Sequence, residues 1–138
     1  MNTYQQEKIL MGRLQKGEDL LFELQKVVEK NNISIGKVEV IGAVTEARFG
    51  YYNQDKKVYE HNKIKENLEI VSCIGNISIL DDKPMIHAHI VFADKEGKTY
   101  GGHLAEGTKI FASEAIITEM KGKQLERKFD KPTELTLW

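Results

Sequence analysis

IHAHIVFADKEGKTYGGHL, residues 86–104, decides the fold, because it reads as two strands around a tight turn. Ile86, Ala88, Ile90 and Phe92 alternate with His87, His89 and Val91, so a core face and a second face are predicted for residues 85–92. Asp94-Lys95-Glu96-Gly97 suits a type I turn closed by a glycine in the left-handed region, which gives a three-residue loop. Asp94 then faces Lys98, and His89 falls opposite His103. Cross-strand Cβ atoms at such a pair stand roughly 4.5–5.5 Å apart. His87 lies two residues back on the same face, so three of the four histidines converge on one hairpin. The expected weak point is Gly101-Gly102, where a bulge would shift the register and turn His103 to the opposite face.

Three imidazoles on one face match a metal site with an open position. Imidazole suits zinc first, with iron, nickel and copper as alternatives. The competing reading, polar face residues or buried histidines bonded to neighbours, suffices for any one of them but fits the convergence of three less well. His61 sits in the polar Tyr59-Glu60-His61-Asn62 segment and is expected to be solvated. Cys73, within an apolar strand, reads as a small core residue rather than a nucleophile.

Outside the hairpin, Leu20, Leu21, Leu24, Val27 and Val28 share one helical face, which predicts an amphipathic helix over residues 17–32. Strands are expected at 8–14, 37–41, 43–52, 56–64, 67–80, 85–92, 98–104 and 109–120. Gly42 is expected to break the second and third of these, and Gly75 to bulge or bend the fifth. The segment 56–64 is the most polar and reads as an edge; the strand character of the tail, 122–138, is left open. The fold class predicted is α+β, one main helix packed on a strongly curved, largely antiparallel (mixed) β-sheet of seven or eight strands.

The chain has 138 residues, a length that fits one domain over 1–138. Its 20 basic and 21 acidic residues give a net charge of −1, which argues against a strong stand-alone DNA clamp. No secretory leader opens the sequence and no apolar run approaches a membrane helix, so a cytoplasmic protein with no membrane partner is expected. The single cysteine fits a reducing compartment.

Several segments together resemble one known family. G-E-D-L at 17–20, I-G-A-V at 41–44, F-G-Y-Y at 49–52, L-E-I-V-S-C-I-G-N-I at 68–77, the H-A-H strand and G-G-H-L-A-E-G at 101–107 are similar to the PPC (plants and prokaryotes conserved) domain, over about residues 8–121. That resemblance implies a compact α+β domain assembling as a homotrimer. In plants the domain sits behind AT-hooks in DNA-binding proteins; this sequence has no Arg-Gly-Arg-Pro core, and it carries three histidines that plant domains generally lack. The H-x-H…G-G-H pattern is also distantly similar to the zinc-binding segment of acetolactate decarboxylases, which implies His87, His89 and His103 as ligands. The expected function is therefore a homotrimeric, DNA-associated regulatory or binding protein with a divalent-metal site. The alternative is a metal-dependent, lyase-like enzyme on a small carbonyl or carboxylate ligand, for which Glu106, Glu69 and Arg48 are catalytic candidates by residue type alone.

Overall fold

The computed structural model describes residues 1–138. Its elements follow the order β1 (Gln5–Arg13), α1 (Leu20–Lys30), β2 (Gly36–Asn53), β3 (Val58–Ile64), β4 (Leu68–Leu80), β5 (Lys83–Ala93), β6 (Thr99–Leu104), β7 (Lys109–Lys121), β8 (Lys128–Asp130) and β9 (Leu135–Leu137). Seven strands form one sheet in the order β1-β7-β2-β4-β5-β6 with β3 on β2, and β8-β9 make a separate two-stranded ribbon. Every pairing between these strands is antiparallel.

The length of β2 curls the sheet. Its first half pairs with β4 on one edge and β7 on the other. Its second half pairs with β3 and, through Phe49 and Gly50, with β6. The run β4-β5-β6 therefore returns to β2, and the sheet closes around Phe49, Ile90, Phe92 and Leu104. The expected break at Gly42 is instead a register shift within one continuous strand, with Gly42 at φ 142°. A bulge lets β2 bend without losing its ladder.

Helix α1 covers the open side of this core with Leu20, Leu24 and Val28, all fully buried. Each such side chain contributes roughly 1.5–3 kcal/mol on burial. Asp19 caps the helix by accepting from the Phe22 N–H at 3.1 Å. The helix is shorter than the predicted 17–32 because residues before the cap are drawn into pairing with the start of β7. Gly17 N–H donates to the Ile110 carbonyl and Ile110 N–H to the Glu18 carbonyl. At the other end Asn31 folds its side chain back onto the Val27 carbonyl at 2.8 Å, and Asn32 turns left-handed at φ 55°.

Gly75 is not a bulge: it stands opposite Ala88 in unbroken register, and the shift in β4 lies between Ile70 and Ser72. A Cβ at Gly75 would come within 2.6 Å of the Ala88 Cβ, so close strand approach explains the glycine. The tail folds back onto β4. Arg127 N–H donates to the Ile79 carbonyl at 2.7 Å, and Ile79 N–H to the Leu125 carbonyl at 2.8 Å. No helix is long and apolar enough to cross a membrane.

Candidate metal centre

The hairpin forms as its turn chemistry dictates. Asp94 N–H donates to the Lys98 carbonyl at 3.0 Å, and the Asp94 carboxylate accepts from the Glu96 and Lys98 amides. Gly97 adopts φ 81°, the left-handed position expected of it. His89 pairs with His103, Ile90 with Gly102 and Val91 with Gly101, so no bulge intervenes at the two glycines. They are there for closeness instead: a Cβ on Gly102 would run into the Gly50 carbonyl, and one on Gly101 into that of Ile90.

Ile86, Ala88, Ile90 and Phe92 are buried in the core, while His87 and His103 are half-buried and His89 is exposed on the outer face. One potential ligand atom from each of the three lies within 4.8 Å of the others. At zinc–nitrogen bonds of about 2.0–2.1 Å in tetrahedral geometry, ligand nitrogens stand about 3.3 Å apart, so small side-chain rotations would close the set. The rings are arranged compactly, with centroids 5.4 Å apart for His87–His89, 4.9 Å for His87–His103 and 5.7 Å for His89–His103. Nδ1 of His103 is buried with no hydrogen-bond partner, a cost that coordination would remove. The residues present therefore fit a divalent ion.

Burial holds His87 and His103 in the neutral form that binds metal. His103 is pushed down to about 4, first by burial and then by its histidine neighbours and Arg127. His87 is lowered by burial, then by Arg127 and His89.

Residues that the sequence did not single out complete the surroundings. Tyr59 packs on His103 at 5.0 Å between ring centroids and on His61 at 6.3 Å. His61 is exposed, as expected, though it stacks on an aromatic neighbour of the cluster. Gly50 lies between His61 and His103 in the ladder, and a Cβ there would come within 3.1 Å of the Tyr59 ring. Beside the histidines is a cavity of about 220 Å³ lined by Tyr59, Met85, His87, His103, Arg127 and tail residues of the β8-β9 ribbon.

The three candidates named by type stand elsewhere. The Arg48 side chain lies along Gly107 and donates to the Glu106 carbonyl at 3.4 Å, near the β6–β7 turn. Glu69 pairs with Ala93, five residues along β4 from the strand partner of His89, which is about 16 Å at the usual rise.

A curled, one-helix antiparallel domain with a three-histidine cluster on its outer face defines the class of this protein. The chain belongs to the Plants and Prokaryotes Conserved (PCC) domain family, which matches residues 1–121. It superposes on a metal-containing protein from Archaeoglobus fulgidus with a TM-score of 0.95 and 37% identity, over 100% of this chain and 97% of that one. A plant- and prokaryote-conserved (PPC) protein from Pyrococcus horikoshii gives 0.94 and 33%, over 99% and 94%. A protein from Ralstonia eutropha JMP134, described as a candidate DNA-binding protein, gives 0.81 and 27%, over 92% and 88%. The distant likeness to acetolactate decarboxylase is present as fold alone: the Bacillus subtilis subspecies spizizenii enzyme gives a TM-score of 0.58 at 12% identity, over 86% of this chain and 55% of that one. Among curated proteins, the bifunctional protein GlmU of Synechococcus sp. (strain JA-3-3Ab) is 31% identical over 106 residues, 76% of this chain. The chain spans about 16% of the length of the curated relatives it matches.

Proposed function

We propose that this chain is a metal-binding member of its family that holds one divalent ion, zinc first, on His87, His89 and His103. In this reading it works in the cytoplasm as a homotrimeric regulatory or binding domain. The observation that carries the reading is the meeting of three imidazoles on the outer face of one hairpin, at the end away from its turn. The metal-containing relative from Archaeoglobus fulgidus supports it. When bound, the ion supplies a Lewis-acidic centre with an open position. His87, His89 and His103 would hold it, and Tyr59 would keep the His103 ring in place.

Self-association is supported by the sheet face that α1 leaves uncovered. Met11, Ile116, Glu39, Ile74, His89 and His103 form one cross-strand row there. Within it Met11 is 74% and Ile74 60% exposed, and Ile41 projects beside them around a groove of about 540 Å³. Apolar exposure of this kind marks association surfaces. The proposed DNA association is supported by the description of the Ralstonia relative. A net charge of −1 makes that association weak and steeply salt-dependent, or dependent on another DNA-bound protein.

A second reading, a metal-dependent lyase on a small carbonyl or carboxylate substrate, is favoured by the cavity that opens beside the histidines. No carboxylate stands free at its wall to act as acid or base, since Glu134 is paired with Lys57 at 2.9 Å, and the binding role takes precedence. Elemental analysis after dialysis against zinc tests the main reading. One ion per subunit is expected; no retained metal, together with thermal unfolding unchanged by zinc, would overturn it.

A further inference from the structure

Arg127 is the second unusual residue at this end of the molecule. It is only 5% exposed, yet every partner of its guanidinium is neutral. Nε donates to Ser78 Oγ at 2.7 Å, Nη2 to Asn76 Oδ1 at 2.8 Å and Nη1 to the Thr136 carbonyl at 3.0 Å. The Trp138 ring lies over it at 4.3 Å. Eight ion pairs form in the molecule and none involves Arg127.

A guanidinium does not shed its charge at neutral pH, and burying a charge without a counter-charge costs several kcal/mol. It also carries five N–H donors, of which the protein takes three; one remains on each Nη. The neighbourhood deepens the imbalance. Arg127, His87 and His103 line the same cavity, and its one acidic wall residue, Glu134, is already paired with Lys57. A divalent ion on three neutral imidazoles would add two positive charges to the one already there. Burial lowers the pKa of Arg127 from the ordinary arginine value, the response of a charge with no compensation.

We propose that the cavity lined by Arg127, His87 and His103 is the binding site of a small carboxylate, held by the bound ion at one end and by the guanidinium charge at the other. This rests on the metal reading above and adds the class of ligand. Size sets the first limit: about 220 Å³ is below the roughly 300–1,000 Å³ of sites for drug-sized molecules. The wall sets the second. Met85, Leu135 and Leu137 give it an apolar side, which suits the hydrocarbon end of a carboxylic acid better than a phosphate whose every oxygen requires a donor. The fork of a guanidinium matches a planar carboxylate.

The test uses the full chain loaded with cobalt(II) and titrated with sodium acetate at constant ionic strength, followed by the visible cobalt absorption. Acetate is expected to shift the spectrum saturably. Arg127→Gln is expected to keep cobalt stoichiometry and imidazole binding but to weaken acetate roughly tenfold, the scale of one charge-assisted contact. Arg127→Lys, which keeps the charge, is expected to lose less, and it gives the same acetate-against-imidazole comparison if the glutamine variant does not fold. A cobalt spectrum that acetate leaves unchanged would overturn the carboxylate site alone. So would a parallel loss of acetate and imidazole in both variants, which is the signature of a purely structural arginine. Absence of any cobalt band would overturn the metal reading and this inference with it.

Discussion

His103 concentrates the physics of the site in one residue. It is half-buried, orphaned at Nδ1, packed under Tyr59 and held neutral down to about pH 4. His103→Ala is therefore predicted to abolish stoichiometric zinc binding while leaving far-UV circular dichroism unchanged, because the residue contributes to the outer face and not to the core. The pH dependence follows from the same burial. An unfolded histidine titrates near 6.5, whereas folded His103 takes its proton only near 4. Between those values the unfolded chain binds the proton and the folded one does not, so stability of the metal-free protein falls as pH drops from about 6.5 to 4 and is flat above. His87, also lowered, adds in the same direction. Urea midpoints measured between pH 7 and 4 should show this loss, and it should shrink in His103→Asn. At this scale the sequence was legible where local geometry set position, because a three-residue turn determines which histidine faces which. Tyr59 and Arg127 were not legible. They arrive from distant segments with no periodic pattern, and only closure of the sheet brings them to the histidines.

The β5–β6 hairpin, helix α1 and the long strands could be read from alternation, helical periodicity and turn chemistry. The expected failure at Gly101-Gly102 did not occur, because the glycines accept the close approach of β5 and β2 within regular pairing. Gly102→Ala is accordingly predicted to cost about 1–3 kcal/mol in urea unfolding, as overpacked sites do. It should weaken zinc binding too, by pushing β6 and His103 away from β2. The ribbon β8-β9 was beyond the reach of sequence reading for a different reason. Each strand has three residues, too few to show a period, and its placement depends on tertiary bonds such as Tyr52 Oη to the Thr133 carbonyl at 2.5 Å. Likewise the true start of α1 was set by pairing of residues 17–19 with β7 rather than by local propensity.

For the whole molecule, curvature and one-sided helix coverage place the histidines and an apolar stripe on the same outer face. If the chain assembles as proposed, Ile74→Asp is predicted to shift the sedimenting species from the proposed trimer to monomer while the isolated fold persists, since Ile74 is exposed and opposite His89. Duplex DNA should bind weakly, with affinity falling steeply between low and physiological salt; fluorescence anisotropy checks this, and nanomolar affinity at physiological salt would contradict it. Whether three histidines of one hairpin hold a divalent ion is read out by X-ray absorption at the zinc edge of the loaded protein. Three imidazole nitrogens at about 2.0–2.1 Å are expected, with one further oxygen or nitrogen ligand completing the shell. A shell without imidazole scattering, or one unchanged in His103→Ala, would contradict it.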